Sequence, residues 1–159
     1  MPLPYAEYVG DRDPVEMLEL SLEEYQTVLP GLTDEMWSRP LAAGKWTMRQ
    51  VMVHVAQWEM IWAVRIRCAV WTPDYVMQSI EQDDLMFEAE VVDGPMACRA
   101  FDSVRRMNIA AAKGLTRTER RRAAQHAAIG TVRVDDLLVT LAGHSIHHLR
   151  QLQSASAAR

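Results

Sequence analysis

Cysteine is scarce in this chain of 159 residues, where Cys68 and Cys98 are the only two. A disulfide framework is therefore excluded, and a reduced cytoplasmic setting is the expectation. Charge of one sign is scarce as well. A formal net charge of −4 gives no global attraction to phosphate backbones or anionic lipid, so neither nucleic acid nor a membrane surface is an expected partner. No segment approaches the roughly 18 consecutive apolar residues that a membrane span requires, and the opening MPLPYAEYVGDRDP lacks the basic start and apolar run of a secretory leader. The chain is expected to be soluble and unprocessed. Seven glycines and seven prolines exclude collagen-like and low-complexity architectures. Several chemical signatures are missing too: there is no P-loop, no GxGxxG and no HExxH, and no histidine has a glutamate three positions before it, which excludes a ferritin-like di-iron site.

Apolar residues make up 49% and charged residues 24%, the balance of a globular protein with a sizeable core, and the length predicts one domain over 1–159. The hydrophobic period is helical almost throughout. Val15, Leu18, Leu22 and Tyr25 mark a first long helix between Asp13 and Leu29, with Pro14 in its first turn and Pro30-Gly31 as its stop. Thr33 caps a short turn to Trp37. A second long helix opens at Thr47, where Gln50 completes a capping box, and ends near Trp71 before Thr72-Pro73. A third runs from Gly94-Pro95 to Gly114, and a fourth from about Asp135 to Leu152 with two acidic residues at its positive end. Residues 73–94 read as loop with a short helix, and 115–134 as helix end, loop or short extended piece. Four long amphipathic helices predict an all-α four-helix bundle.

The strongest local signal is GHSIHHLRQL, which holds three of the five histidines. At 100° per residue, Leu137, Leu141, His144, His148 and Leu152 form one stripe, so two imidazoles stand where a bundle places leucines. His147 lies to the side, at a position suited to solvent, a subunit contact or support of the site. On the second helix, Val51, His54, Trp58 and Ile61 form the apolar stripe, with Trp62 beside it, so His54 also points inward. Two histidines four apart and a third from another helix can present three nitrogens to one divalent ion, leaving a position open for water or substrate. Hydrogen-bonded packing of the same rings is the other reading that the pattern permits. Ligation requires neutral rings, so metal affinity is expected to fall through the histidine range near ~6.5. Trp58 and Trp62 can line a pocket beside His54, and Arg65, about three turns along nearly the same face, is a candidate anion partner or an arginine reaching solvent. His126 and the RTERRR run read as loop and solvated surface. Cys68 and Cys98 read as buried free thiols, Cys68 lying about 21 Å along the helix from His54.

The block GLTDEMWSRPLAAGKWTMRQVMVHVAQWEM, followed about ninety residues later by LAGHSIHHLRQL, resembles the DinB/YfiT-like family of metal-dependent four-helix proteins. The two most specific parts are GKWTxxxVxxH, ending at His54, and the terminal HxxxH with Gln151 shortly after. The resemblance implies a metal triad of His54, His144 and His148, with His147 and Gln151 as candidate supporting residues. It also implies a divalent ion, zinc or nickel, and a homodimer. Characterised members include mycothiol-dependent maleylpyruvate isomerases and bacillithiol or glutathione S-transferases. The implied activity is transfer of a low-molecular-weight thiol to a small electrophilic substrate, with hydrolysis by metal-activated water or a non-catalytic stress or structural role as alternatives. Residues 73–122 match no family motif, and substrate selection is expected there.

Overall fold

Each of the first helices begins where the sequence supplies an acceptor for its free amides. In the computed structural model, which describes residues 3–157, the Asp13 carboxylate accepts from the amides of Val15 and Glu16 and starts α1 (Pro14–Val28). Thr33 accepts from Met36 and starts the short α2 (Asp34–Ser38). Thr47 and Gln50 exchange side-chain and backbone hydrogen bonds at the head of α3 (Met48–Trp71), as the capping box predicts.

Residues 73–94 contain a two-residue strand, β1 (Val76–Met77), and a 3₁₀ segment, Gln82–Glu90. Asp93 caps α4 (Gly94–Lys113) through the amide of Met96. The segment left open between 115 and 134 divides into α5 (Arg117–Arg120), β2 (Ala123–His126) and β3 (Gly130–Arg133). The strands form a small sheet ordered β1-β2-β3, with β1 parallel to β2 through Val76 and Gln125, and β2 antiparallel to β3. The last helix, α6 (Val134–Ala157), follows β3 directly and runs five residues beyond the expected end at Leu152.

Four long helices form the bundle: α6 packs against α1 and α3, while α4 packs against α3 and α1. The helix order around the square is therefore α1-α6-α3-α4, and two of the three steps along the chain, α1 to α3 and α4 to α6, cross a diagonal. That order seats the inward stripes of α3 and α6 face to face, which is what the histidines need. The core is mostly aliphatic and aromatic, with Leu18, Tyr25, Met48, Met52, Phe101, Leu138, Leu141, Leu149 and Leu152 almost wholly buried. Tyr25 donates its hydroxyl to the Ser145 carbonyl at 2.9 Å, fixing α1 against α6. A charged network crosses the same interior. Arg105 of α4 donates to both carboxylate oxygens of Glu59 on α3, at 2.9 and 2.7 Å, and also reaches Ser21 Oγ and the Leu18 carbonyl on α1. Asn108 donates a further 2.7 Å bond to Glu59.

Candidate metal centre

His54 is held in the second turn of α3, and His144 and His148 stand one turn apart on the facing side of α6. All three are buried. One ring nitrogen from each lies within 4.8 Å of the others, and Nε2 of His54 is 3.0 Å from Nε2 of His144. Two imidazole nitrogens bonded to one ion at about 2.0–2.1 Å stand about 3–3.5 Å apart, so the pair needs little movement to share a cation.

The protonation chemistry fits. Burial, reinforced by the neighbouring His148, pushes the His54 ring down to about 3. Burial pushes His148 down to about 4 against the opposing effect of its bond to Gln151, and His144 is held well below the ordinary range by burial and then by the surrounding histidines. All three are neutral near pH 7, the form that donates lone pairs. His148 Nε2 and His54 Nδ1 are buried without a hydrogen-bond partner among the described residues. An orphaned lone-pair nitrogen is costly in a packed core, and at His148 Nε2 a cation would satisfy it; with His54 Nε2 turned to His144, His54 Nδ1 is the protonated nitrogen and is not a ligand.

A hydrogen-bonded row supports the cluster from outside. Gln151 Oε1 accepts from His148 Nδ1 at 2.8 Å, which leaves His148 Nε2 as the lone-pair nitrogen. The Gln151 amide nitrogen donates to His147 Nε2 at 3.1 Å, so His147 Nδ1 carries the proton and donates to the Tyr8 hydroxyl at 2.7 Å. His147 thus faces the N-terminal segment and not the cluster centre. That segment lies directly on α6: a Cβ on Gly143 would stand 2.2 Å from the Tyr5 carbonyl oxygen, so only glycine permits the approach one residue before His144. Tyr5, at a left-handed φ of 62°, places its ring 5.4 Å from that of His144. Trp46, from the loop before α3, lies 5.0 Å from the His54 ring.

The cluster separates two spaces. An open cleft of about 1110 Å³ is bordered by His147, His148 and Gln151 and carries the cations Arg39, Lys45 and Arg150. On the other side a cavity of about 230 Å³ reaches His54 and His144 between Trp58, Trp62 and Arg65. Tyr5 borders both. Arg65 does not extend to solvent: it is buried, with its guanidinium carbon 5.5 and 5.1 Å from the Trp58 and Trp62 rings. His126, at the end of β2, lines the inner cavity but stands outside the three-histidine cluster. Cys68 and Cys98 are free, half-buried thiols away from both spaces; burial pushes the Cys98 thiol up to about 12, which keeps it protonated. Arg120 of the RTERRR run is engaged, pairing with Asp13 and Asp135 and tying α5 to α1 and α6.

A four-helix bundle with three converging buried imidazoles defines a class, and comparison with known proteins gives it a family. The chain belongs to the DinB superfamily, whose model matches residues 17–152. No curated protein sequence matches it. Among solved structures, YfiT from Bacillus subtilis, described as a probable metal-dependent hydrolase with an unusual four-helix bundle topology, superposes with a TM-score of 0.82 at 18% identity, over 91% of this chain and 84% of that one. The mycothiol-dependent maleylpyruvate isomerase superposes with a TM-score of 0.73 at 14% identity, over 94% of this chain. The chain spans only 61% of that isomerase. At these identities the likeness is one of fold.

Sequence reasoning did not single out Tyr5, Tyr8, Arg39, Lys45 or Arg150. Tyr5 and Tyr8 sit in a segment without helical period, and their partners lie at the opposite end of the chain. Trp46 carries a signal only through the GKW motif.

Proposed function

We propose that this chain is a divalent-metal-dependent enzyme in which His54, His144 and His148 hold one ion, zinc or nickel, and which transfers a low-molecular-weight thiol to a small electrophile. The observation that carries the reading is access from two sides: a wide cationic cleft borders His148, while a narrow aromatic cavity reaches His54 and His144. A single-substrate site needs one approach, whereas a transfer between two molecules uses two. A divalent ion at this position lowers the pKa of a thiol or water that shares its coordination sphere, and so supplies a nucleophile near neutral pH.

The protein's own groups do the rest. Arg39, Lys45 and Arg150 attract the anionic groups of a thiol cofactor entering the cleft. Gln151 keeps His148 in one tautomer, and the indoles of Trp58 and Trp62 pack the electrophile and exclude water from it. The sulfur–carbon bond forms where the two spaces meet. The thiol proton leaves to the solvent of the cleft, which also receives the displaced group or, in an addition, supplies the proton to the neighbouring carbon. The homodimer and the cytoplasmic setting belong to the same proposal. Hydrolysis with water in place of the thiol is the second reading, supported by the description of the Bacillus subtilis neighbour.

Cobalt substitution tests the proposal. Addition of glutathione, bacillithiol or mycothiol to the cobalt-loaded chain is expected to produce a sulfur-to-metal charge-transfer band and thiol-dependent consumption of a generic electrophile. Absence of a band with all three contradicts thiol transfer; metal-dependent cleavage of an ester or amide in the same samples then assigns the hydrolase, and an inert ion the structural role.

A further inference from the structure

Among the described residues two guanidinium groups are buried, and they are treated differently. Arg105 is matched by Glu59, Ser21 and the Leu18 carbonyl. Arg65, with only 5% of its surface exposed, takes part in none of the ion pairs among the described residues. Among the described residues its one hydrogen bond runs from Nη2 to the Gln78 carbonyl at 2.6 Å. A guanidinium cannot shed its proton to escape burial, so an unpaired one in a core calls for an anion.

The surroundings make Arg65 one wall of a built site. Its guanidinium lies against both the Trp58 and Trp62 rings, which are themselves 6.0 Å apart, and Arg65 borders the inner cavity. Asp136 lines the same cavity, but its carboxylate accepts from the Arg133 amide at 2.7 Å. Trp58 Nε1 is a further buried donor without a partner among the described residues. The Trp58 ring is 6.1 Å from the His54 ring and 5.5 Å from the guanidinium, so a single indole neighbours both the histidine cluster and the cation. The cavity, about 230 Å³, is below the roughly 300–1,000 Å³ of sites for drug-sized ligands.

We infer that Arg65 is a carboxylate-binding site and that the molecule taken into the inner cavity is a small organic acid. Its carboxylate docks on the Arg65 fork, its apolar body lies along Trp58 and Trp62, and its far end reaches His54 and His144. The fork matches a carboxylate in two parallel hydrogen bonds and turns away the uncharged isostere. The assignment deepens the proposed function by making the electrophile an acid, and the binding itself needs neither metal nor thiol.

Calorimetric titration with trans-cinnamate and with cinnamamide, on metal-free and zinc-loaded protein, tests it. The metal-free parent is expected to bind the acid at least about tenfold more tightly than the amide, with quenching of tryptophan fluorescence. Arg65→Met should abolish that preference; Arg65→Lys, which keeps the charge and loses the fork, should reduce it severalfold. Thermal melting establishes that each variant is folded, and if Arg65→Met is not, the parent and Arg65→Lys decide. Equal binding of acid and amide by the parent, no binding of either, or a preference for the acid that requires zinc and survives Arg65→Met would overturn the inference, the last by placing the carboxylate on the ion. If acid preference is found but no thiol reaction, the transfer reading falls and the Arg65 site stands.

Discussion

His147 and His148 are adjacent in sequence and different in chemistry. His148 Nε2 faces the cluster as an orphaned lone pair, whereas both nitrogens of His147 are taken, by Tyr8 and by Gln151. In the proposed centre, loss of His148 would remove a ligand, whereas loss of His147 would remove only the group that steadies Gln151. We therefore expect His147→Ala to weaken metal binding by about 10- to 100-fold at most and His148→Ala to weaken it considerably more, both measured against one competitor chelator at one pH. A larger loss from His147→Ala would mean that α6 is rotated the other way. The inward direction of His144 and His148 was legible in the sequence because they fall on the same stripe as Leu137, Leu141 and Leu152. The partners of His147 were not: Tyr8 lies 139 residues away, and no local period announces such a contact. Arg65 was legible only as a choice between anion partner and solvent; its burial against two indoles removes the second reading and leaves the first as the inference argued above.

At the scale of the element, α3 does three jobs on two faces: one face presents His54 to α6 and Arg65 to the inner cavity, and another turns Glu59 to α4. The Glu59–Arg105 pair sets how α3 sits against α4, and so where His54 points. Removing one partner leaves the other charge buried alone, so Arg105→Ala is expected to cost about 3–5 kcal/mol in denaturant unfolding. A loss under about 1 kcal/mol would mean that water relieves Glu59 and that the pair does not brace the helix. Helix starts were legible because capping is local: Thr33 and Thr47 each accept from the amide three residues on, and Asp13 and Asp93, which the sequence reading did not name as caps, do the same at α1 and α4. The β2–β3 hairpin was not, since Thr131-Val132-Arg133-Val134 alternates for four residues only and its pairing depends on a strand partner. Arg105, buried on the same face as Phe101 and Ile109, was not singled out in the sequence, where a charged residue four positions from each reads as surface.

For the whole molecule, the three buried imidazoles link stability to pH. An unfolded chain protonates them near ~6.5, whereas the folded chain holds His54 down to about 3 and His148 down to about 4. Between those values the unfolded state binds more protons, so metal-free stability is fully present above ~6.5 and declines as pH falls, by about 1.4 kcal/mol per pH unit for each imidazole kept neutral. Urea midpoints of the metal-free protein should fall from pH 7 to pH 5, with a shallower slope for His148→Ala; a pH-independent midpoint would contradict the burial. The same displacement moves proton competition for a bound ion below the ordinary histidine range on which the sequence-based expectation rests.

Metal content tests most directly whether His54, His144 and His148 act together as one centre. The chain, purified without a chelating tag, exposed to zinc or nickel and exchanged into metal-free buffer, should retain about one ion per chain by elemental analysis. His54→Ala, which withdraws the ligand supplied by α3, should retain little or none. No stoichiometric metal in the parent, or an ion held as tightly by His54→Ala, would contradict the centre described.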